Sequence, residues 1–234
     1  TQWLITSHGE HPAVSKTAQQ LQDLHGFKVE WLELDEHGMI SPETVEHAIC
    51  GETALVSVMY ANNEIGTVNP VKEIADVCRI KGIPFHADAV QAAAYLPVDV
   101  QSLGVDMLSL GGHKFYGPKG AGVLFARKST QDLLIPAQTG GGQEFRLRAG
   151  TLNVPYLVGM AEALNLARKE KDSNIAQVKP LRDYLIGRLL EDIPEIQLTG
   201  HSESRLPNHG SFIFSGVDGN FLVALLDSAG FACS

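Results

Sequence analysis

The chain has 234 residues, of which 44% are hydrophobic and 19% are charged, enough to bury the core of one large domain or of one domain and part of another. Its formal net charge is -9, and its 18 Lys and Arg residues form no run. This argues against a nucleic-acid groove, because neutralising phosphates requires clustered cations. The expected partner is a small molecule or a protein.

Cysteine usage and hydropathy limit the setting further. Cys50, Cys78 and Cys233 are far apart, which is the spacing neither of a disulfide framework nor of zinc ligands. No metal site is expected, and a reducing, cytoplasmic location is predicted. No apolar run approaches the ~20 residues that span a bilayer, so no membrane partner is expected. The chain begins at Thr1 and stops at Ser234, and we expect it to be truncated at both ends.

Apolar runs and helix-like segments alternate through the first half of the chain. Strands are predicted at 3–6, 29–34, 54–59, 83–87, 107–110 and 121–125, and helices at 13–25, 41–49 and 71–81. Ser41 before Pro42 is a helix start, and Gly82 is a helix stop. The alternation predicts an α/β fold with a largely parallel sheet covered on both faces. Ligands bind such sheets at the carboxyl ends of the strands.

The pattern changes in the last quarter of the chain. A long helix is predicted at 155–171, and a polar stretch at 168–174 follows it. A second helix (175–191), two strands (195–199 and 211–215) and a final helix (219–229) come after that stretch. We therefore predict a large domain over residues 1–170 and the beginning of a smaller α+β domain over residues 171–234.

Asp88 follows an apolar strand in the sequence IPFHADAVQ, residues 83–91. An acid at a strand's carboxyl end can enter the ligand crevice, and a carboxylate there can hold a pyridinium nitrogen in its protonated form. The alternative is an Asp that only caps the following helix.

Lys114 lies in LSLGGHKFYGPKG, residues 108–120, where a strand runs into two glycines, a His-Lys pair and a Gly-Pro turn. Glycine lets the backbone approach a ligand closely, and a partly desolvated lysine beside other cations becomes a competent imine-forming amine. A surface lysine in a loop is the alternative. Asp88 and Lys114 follow neighbouring predicted strands, and this combination favours a shared site.

With these motifs the sequence resembles the cysteine desulfurase family of class V aminotransferase-like enzymes, which use pyridoxal phosphate on the fold of aspartate aminotransferase (fold type I). The resemblance rests on motifs that occur in the family's order. They are EHPAV (10–14), ANNEIG (61–66), HADAVQ (86–91), GHKFYGPKG (112–120), GGGQE (140–144) and RAGT (148–151).

The resemblance implies roles for residues around the cofactor. Lys114 carries pyridoxal 5'-phosphate as a Schiff base and later moves protons, and Asp88 pairs with the pyridinium nitrogen. Gln91 contacts the ring's phenolic oxygen, and His113 the phosphate. His11 stacks on the ring and serves in acid-base steps, its alternative being a loop histidine.

Asn63 and Thr151 complete the implied site. Asn63 lies near the phenolic oxygen and the substrate carboxylate. Thr151, with Arg148 beside it, contacts the cofactor phosphate of a neighbouring subunit, so the resemblance implies a homodimer with shared active sites.

The sequence departs from the family pattern in what it lacks. Gly111 stands where the family usually has a phosphate-binding Ser. The phosphate-binding loop is expected before Thr1, and the substrate-carboxylate arginine after Ser234. Cys233 matches the first cysteine of the family's reactive loop, and the nucleophile is expected a few residues later.

The resemblance implies that L-cysteine is converted to L-alanine while its sulfur forms an enzyme persulfide. The sulfur then goes to an acceptor protein for iron-sulfur cluster assembly or tRNA thiolation. Selenocysteine lyase, another class V aminotransferase-like enzyme, and a non-catalytic paralogue or fragment that acts as a binding partner remain alternatives. The Asn-Asn-Glu and Gly-Gly-Gly-Gln-Glu motifs favour the desulfurase, and Gly111 favours the paralogue.

Overall fold

The computed structural model describes residues 2–234. Within these residues the strands are β1 Trp3–Ser7, β2 Lys28–Leu32, β3 Thr53–Met59, β4 Phe85–Asp88, β5 Met107–Gly111, β6 Gly122–Ala126, β7 Ile196–Leu198 and β8 Phe212–Phe214. The α-helices are α1 Pro12–His25, α2 Pro42–Ala48, α3 Val71–Lys81, α4 Val100–Leu103, α5 Lys128–Gln131, α6 Val154–Asp192 and α7 Gly219–Ser228. The short 3-10 turns are Gly112–Phe115 and Glu144–Arg146. The predicted strands and helices of the first half are confirmed, with ends displaced by one or two residues.

The helix ends follow the chemistry of their capping residues. Ser41 accepts a hydrogen bond from the Thr44 N–H at the start of α2, and Pro42 occupies the first turn, where its missing N–H costs nothing. Gly82 ends α3 with φ 70°, a left-handed conformation that glycine adopts without steric cost.

The large sheet has the order β2-β1-β3-β4-β5-β6. Its strands run parallel except β6, which is antiparallel to β5. From β1 the chain moves outward to β2 and then returns to the other side of β1 to form β3. The connections therefore reverse direction between β1 and β3, and a parallel α/β sheet binds its ligands at such a switch point.

The core lies on both sides of the central strands. In β3, Val56 and Val58 share one face while Ser57 and Met59 share the other, and all four side chains are buried. A strand buried on both faces is typical of a parallel sheet covered by helices. The predicted α/β fold is confirmed.

Helix α6 differs from the prediction of two helices separated by a polar stretch. It runs unbroken for 39 residues from Val154 to Asp192 and includes Pro180. Residues 168–174 contain Arg, Lys and Glu, which are polar but favour helix, so polarity alone was a misleading signal of a loop.

After α6 the chain forms the antiparallel pair β7 and β8 and then α7. The second small unit over residues 171–234 remains a prediction, and α6 crosses its expected boundary. Among the residues described for α7, none is buried, which separates this part from the buried core of the large sheet.

Cys50 and Cys78 lie on helix-like stretches of the sequence, which predicts that both are ordinary buried small residues. Cys78 is buried in α3, as expected, but Cys50 is exposed, which corrects that expectation. Cys50 lies in the turn that precedes β3 rather than within a helix. No helix among residues 2–234 combines the length and apolar character needed to cross a membrane.

Candidate active site

The carboxyl ends of β3, β4 and β5 bring three residues side by side at one edge of the sheet. Asp88 ends β4, and in the register of the sheet it pairs with Met59 on one side and with Ser109 on the other. The Asp88 side chain is only 6% exposed, and its Oδ1 accepts a hydrogen bond from the Val90 N–H at 3.0 Å. No helix follows β4 directly, so Asp88 closes a turn rather than capping a helix, and it uses one carboxylate oxygen for this contact at a ligand-binding edge.

Lys114 is presented by a turn that begins where β5 ends. The 3-10 turn Gly112–Phe115 directly follows β5, and the Gly112 N–H donates to the Ala121 carbonyl at 2.9 Å. Phe115 is fully buried while Lys114 is exposed. The buried ring thus anchors the turn and leaves the adjacent amine at the surface of the site.

Gly111 and His113 lie on the same side of this turn. A Cβ at position 111 would meet a Val90 methyl at 3.2 Å and the His113 ring at 3.5 Å. A serine at 111 would therefore require Val90 to move by a few tenths of an ångström. Gly111 therefore leaves room for the Val90 side chain from the turn after β4.

Gln91 lies in the turn that follows Asp88 and is half-buried. The Ala92 N–H closes this turn on the Ala89 carbonyl at 3.0 Å. The Gln91 side chain makes no hydrogen bond to other residues of the described range 2–234, so its amide is available to a ligand.

His11 caps the N-terminus of α1, with its Nδ1 accepting a hydrogen bond from the Ala13 N–H at 3.1 Å. A neutral imidazole whose Nδ1 accepts must carry its proton on Nε2. The exposed ring therefore presents an Nε2–H donor. The predicted acid-base residue also has a capping role, which the sequence analysis did not anticipate.

Glu10 is a residue to which the sequence analysis gave no role. It is 8% exposed, and its Oε1 accepts hydrogen bonds from the Ser7 hydroxyl and the Met59 N–H, both at 2.8 Å. Burial raises the pKa of Glu10 to about 7; its two hydrogen bonds oppose the rise, and the nearby Asp88 charge adds to it. Glu10 joins the ends of β1 and β3 across the switch point, and its neighbour in sequence is His11.

A second missed group lies beneath Asp88 on the same face of β4. His86 Nδ1 is 2.8 Å from the Ser57 hydroxyl, and His86 Nε2 is 2.9 Å from the Ser109 hydroxyl. Burial lowers the pKa of His86, against the opposing effect of Asp88, so the ring stays neutral and links three strands. The alternation of residues in β4, which places His86 and Asp88 on one face, is a signal from which it could have been found.

Asn63 lies in a tight turn after β3. The neighbouring Asn62 closes the turn, because its Oδ1 accepts from the Glu64 and Ile65 N–H groups at 2.8 and 2.9 Å. Asn62 also donates through Nδ2 to the Gly9 carbonyl at 2.9 Å. The turn that carries Asn63 is thereby tied to the loop that carries His11.

Thr151 and Arg148 lie away from these contacts, in an exposed loop before α6. Arg148 donates only to the neighbouring Ala149 carbonyl, at 2.9 Å. Within residues 2–234 no hydrogen bond joins Thr151 to Asp88 or Lys114. This is compatible with the expectation that Thr151 serves a neighbouring subunit.

The donor set fits the cofactor that the resemblance implies. Neither the buried Asp88 carboxylate nor the Lys114 amine has an ion-pair partner among residues 2–234. A buried carboxylate needs a cationic or donor partner, which a protonated pyridine nitrogen supplies, and the free amine matches an aldehyde. The described residues contain no cluster of three or more metal-ligating side chains.

The comparison with protein families decides the family of this chain. Residues 2–234 match the model of the family described as Aminotransferase class-V. The chain belongs to the aminotransferase class-V family. This confirms the resemblance seen in the motifs.

This class-V chain is similar to curated cysteine desulfurases along its whole length. It is 44% identical to cysteine desulfurase IscS of Methanosarcina thermophila and 42% identical to that of Dictyoglomus turgidum, in each case over 99% of this chain. The matches cover 56% and 59% of those proteins. The chain thus spans somewhat more than half the length of these relatives.

Solved structures confirm the fold. A NifS-like protein superposes with a TM-score of 0.92 at 36% identity, over 100% of this chain and 63% of that one. A structure described as SspA in complex with cysteine superposes with a TM-score of 0.82 at 33% identity, over 100% of this chain and 64% of that one. The predicted fold type I architecture is confirmed.

Proposed function

We propose that this protein is a pyridoxal-phosphate-dependent cysteine desulfurase. The observation that carries the proposal is the pair formed by Asp88 and Lys114. A buried carboxylate without a cation and an exposed amine without an anion lie at the ends of adjacent strands. The similarity to IscS proteins over 99% of the chain supports the same reaction.

Four residues hold the cofactor in this proposal. Lys114 binds it covalently, Asp88 holds the ring nitrogen, Gln91 contacts the phenolic oxygen, and His113 contacts the phosphate. His113 and Gln91 follow β5 and β4 in sequence, so both reach the site from the same edge as Lys114 and Asp88. Phosphate binding is weakened at Gly111, which has no hydroxyl.

When bound, pyridoxal phosphate supplies a protonated ring that withdraws electrons from the substrate carbon. Asp88 keeps the ring nitrogen protonated, because a buried carboxylate stabilises a nearby positive charge strongly. His86 beneath it stays neutral and adds no competing charge to that edge.

Lys114 and His11 move the protons. The free Lys114 amine accepts the proton from the substrate's Cα. His11 presents Nε2–H because its Nδ1 is engaged by the Ala13 N–H, so in this state it donates a hydrogen bond to the substrate, and it acts as an acid only after the ring takes up a second proton. Asn63 lies near the substrate carboxylate in this proposal.

The sulfur step transfers sulfur between two thiols. An enzyme thiolate attacks the sulfur of cysteine, the C–S bond breaks, and the carbon takes a proton, so cysteine and a thiol give alanine and a persulfide. Cys78 does not serve, because burial raises the pKa of its thiol to about 12. Cys50 precedes β3, whereas the site lies at the carboxyl end of that strand. The length of β3, at ~3.3 Å per residue, separates Cys50 from the site by about 20 Å. We propose that the nucleophile belongs to the reactive loop whose pattern opens at Cys233.

The homodimer is part of the same proposal. The loop with Thr151 leads into α6, where Val154 and Val158 are 57% and 62% exposed. Apolar side chains exposed together mark an interface, and Thr151 reaches the partner's phosphate there. The proposal assigns residues 1–170 to the cofactor domain and residues 171–234 to part of a small domain. It also includes a cytoplasmic location and an acceptor protein for the sulfur.

A non-catalytic paralogue is the second candidate, and Gly111 favours it, because the site has one phosphate donor fewer than expected. Covalent trapping of the cofactor separates the two functions. The full-length protein is incubated with pyridoxal phosphate, reduced with borohydride and digested, and a pyridoxyl mass is expected on the peptide that contains Lys114. Lys114→Ala abolishes both this mass and alanine formation from cysteine.

Lys119→Ala is the matched control, since Lys119 is an exposed lysine of the same Gly-Pro turn. It leaves the mass and the activity unchanged. Wild-type protein that takes up no cofactor, or takes it up on another lysine, contradicts the proposed function.

A further inference from the structure

The turn that carries Asn63 is held from outside by a segment far away in sequence. We call residues 62–67 the Asn63 turn and residues 199–209 the clamp segment. The Leu206 N–H donates to the Gly66 carbonyl at 2.9 Å, and the His201 N–H donates to the Thr67 hydroxyl at 3.0 Å. The clamp segment therefore packs along the outer side of the Asn63 turn.

The two segments approach so closely that only glycine fits at two points. A Cβ at Gly200 would lie 2.5 Å from the Ile65 carbonyl oxygen, and a Cβ at Gly66 would lie 2.7 Å from His209 Nδ1. Both glycines have positive φ, 76° and 78°. The backbones are thus in direct contact, and a displacement of the clamp segment displaces the turn.

Arg205 strengthens the contact from a buried position. It is 5% exposed, and its Nη2 donates to the Ile65 and Thr199 carbonyls at 2.9 and 3.0 Å. One guanidinium nitrogen thus joins the turn to the clamp segment. Since the head group is buried, these bonds are shielded from competing water.

His209 contacts Asn63, the residue that the proposed function places near the substrate carboxylate. Its Nε2 lies 3.2 Å from the Asn63 carbonyl, and a carbonyl only accepts, so Nε2 carries the proton. Burial lowers the pKa of His209; the bond to Asn63 opposes this, and the Arg205 charge adds to it. A neutral ring with Nε2–H is therefore held against Asn63.

We propose that His209 is a positioning residue that fixes Asn63 against the substrate, and that through it the clamp segment controls substrate binding. The proposal rests on the proposed function, in which Asn63 lies near the substrate carboxylate. Asn62 links the same turn to the loop of His11, because its Nδ2 donates a hydrogen bond to the Gly9 carbonyl in that loop. Placement of the clamp segment thus sets both polar groups on the substrate side.

Two substitutions at His209 separate hydrogen bonding from packing. His209→Phe keeps a ring against Gly66 but has no donor, whereas His209→Gln retains an N–H that can reach the Asn63 carbonyl. Thr199→Val is the matched control, because the Thr199 hydroxyl is buried in the same segment and has no hydrogen-bond partner in the described chain. All are made in the full-length protein.

Amide hydrogen exchange reports how stably the Asn63 turn is held, and it does not depend on enzyme activity. The Glu64, Ile65 and Gly66 amides are bonded to Asn62, and we expect them to exchange about 3- to 10-fold faster in His209→Phe, the effect of one lost hydrogen bond. His209→Gln and Thr199→Val exchange like the wild type. The amides of β3 show whether each variant is folded, and His209→Met replaces His209→Phe if the latter does not fold.

Kinetics then test substrate positioning. In His209→Phe the KM for cysteine rises about 3- to 10-fold with kcat and cofactor affinity within about 2-fold, and His209→Gln restores KM. Unchanged exchange in His209→Phe overturns the clamp, and faster exchange with unchanged KM overturns positioning of Asn63. A His209→Gln variant as impaired as His209→Phe overturns the hydrogen bond as the cause. If the wild type lacks desulfurase activity, the proposed function fails, and exchange alone decides whether His209 holds the turn.

Discussion

The sheet edge around Asp88 and the loop around Thr151 both carry motifs of the family, yet they differ physically. At the sheet edge Glu10 and Asp88 are buried, and their carboxylates accept hydrogen bonds from the Met59 and Val90 N–H groups of the same chain. In the loop before α6, Ile135 and Phe145 are 91% and 80% exposed. The edge obtains its contacts from its own chain, whereas the loop offers apolar side chains that its own chain leaves uncovered.

Backbone conformation shows the same difference. Glu144, Phe145 and Arg146 have φ values of 47°, 57° and 67°, a left-handed run that costs about 1 kcal/mol or more per residue without glycine. Such strain persists where surrounding contacts offset it. The difference matches the proposed homodimer, because the residues at the edge are bonded within the chain whereas the loop leaves apolar side chains exposed.

The largest expected effect comes from the edge. Asp88→Asn keeps the acceptor for the Val90 N–H but removes the charge that holds the ring nitrogen. We expect kcat/KM for cysteine to fall on the order of 10²-fold or more, because breaking a buried ion pair costs roughly 3 kcal/mol. Steady-state alanine formation measures the loss.

Asp106→Asn is its control at the other end of β4, where Asp106 accepts the Phe85 N–H at 3.0 Å. Its activity stays within about 2-fold of the wild type, as expected for a site away from the reacting atoms. Equal losses in the two variants would mean that the edge is sensitive to any change in the sheet.

The second prediction concerns Glu10 and the pH dependence of stability. The Glu10 carboxyl has a pKa of about 7 in the folded chain, against an ordinary value of 4.5, so the folded state holds the proton more tightly. This contribution to stability is full below pH 4.5 and is lost as pH rises to about 7, up to roughly 3 kcal/mol in total.

Glu10→Gln cannot ionise and keeps an acceptor for Ser7 and Met59. Denaturant unfolding should give similar stabilities for both proteins at pH 4.5, with the variant increasingly more stable toward pH 8. Parallel pH profiles would show that Glu10 is ionised or solvated at the edge.

The smallest effect tests the loop as a shared element. A Lys114→Ala subunit and a Thr151→Ala subunit are each impaired alone, but a heterodimer of the two has one site with both residues intact. Equal mixing after reversible dissociation should recover about a quarter of wild-type activity, because about half the dimers are mixed and each has one good site. No recovery despite mixed dimers would place Thr151 in its own subunit's site.

Much of the fold could be predicted from the sequence, because strand and helix periodicities are local. Ser41, Gly82 and the alternating apolar runs gave the elements of the large sheet. The antiparallel direction of β6 could not be predicted, since it depends on long-range pairing. The continuity of α6 was missed because Arg, Lys and Glu are frequent both in linkers and in exposed helices.

The candidate site was predicted more unevenly. Asp88 and Lys114 could be found because each follows a strand, and strand ends meet at one edge. Glu10 and His209 could not, since their importance depends on partners 49 and 146 residues away. Burial and distant contacts are what single residues in a sequence do not reveal.

The unbroken helix α6 makes the site sensitive to the length of the chain. It is the covalent connection between the large sheet and the clamp segment, and each helical residue advances ~1.5 Å and turns about 100°. Deleting one solvent-facing residue of α6 would therefore swing His209 and Arg205 around the helix axis and away from Asn63. The number of residues in α6, and not only their identity, therefore sets the position of His209 against Asn63.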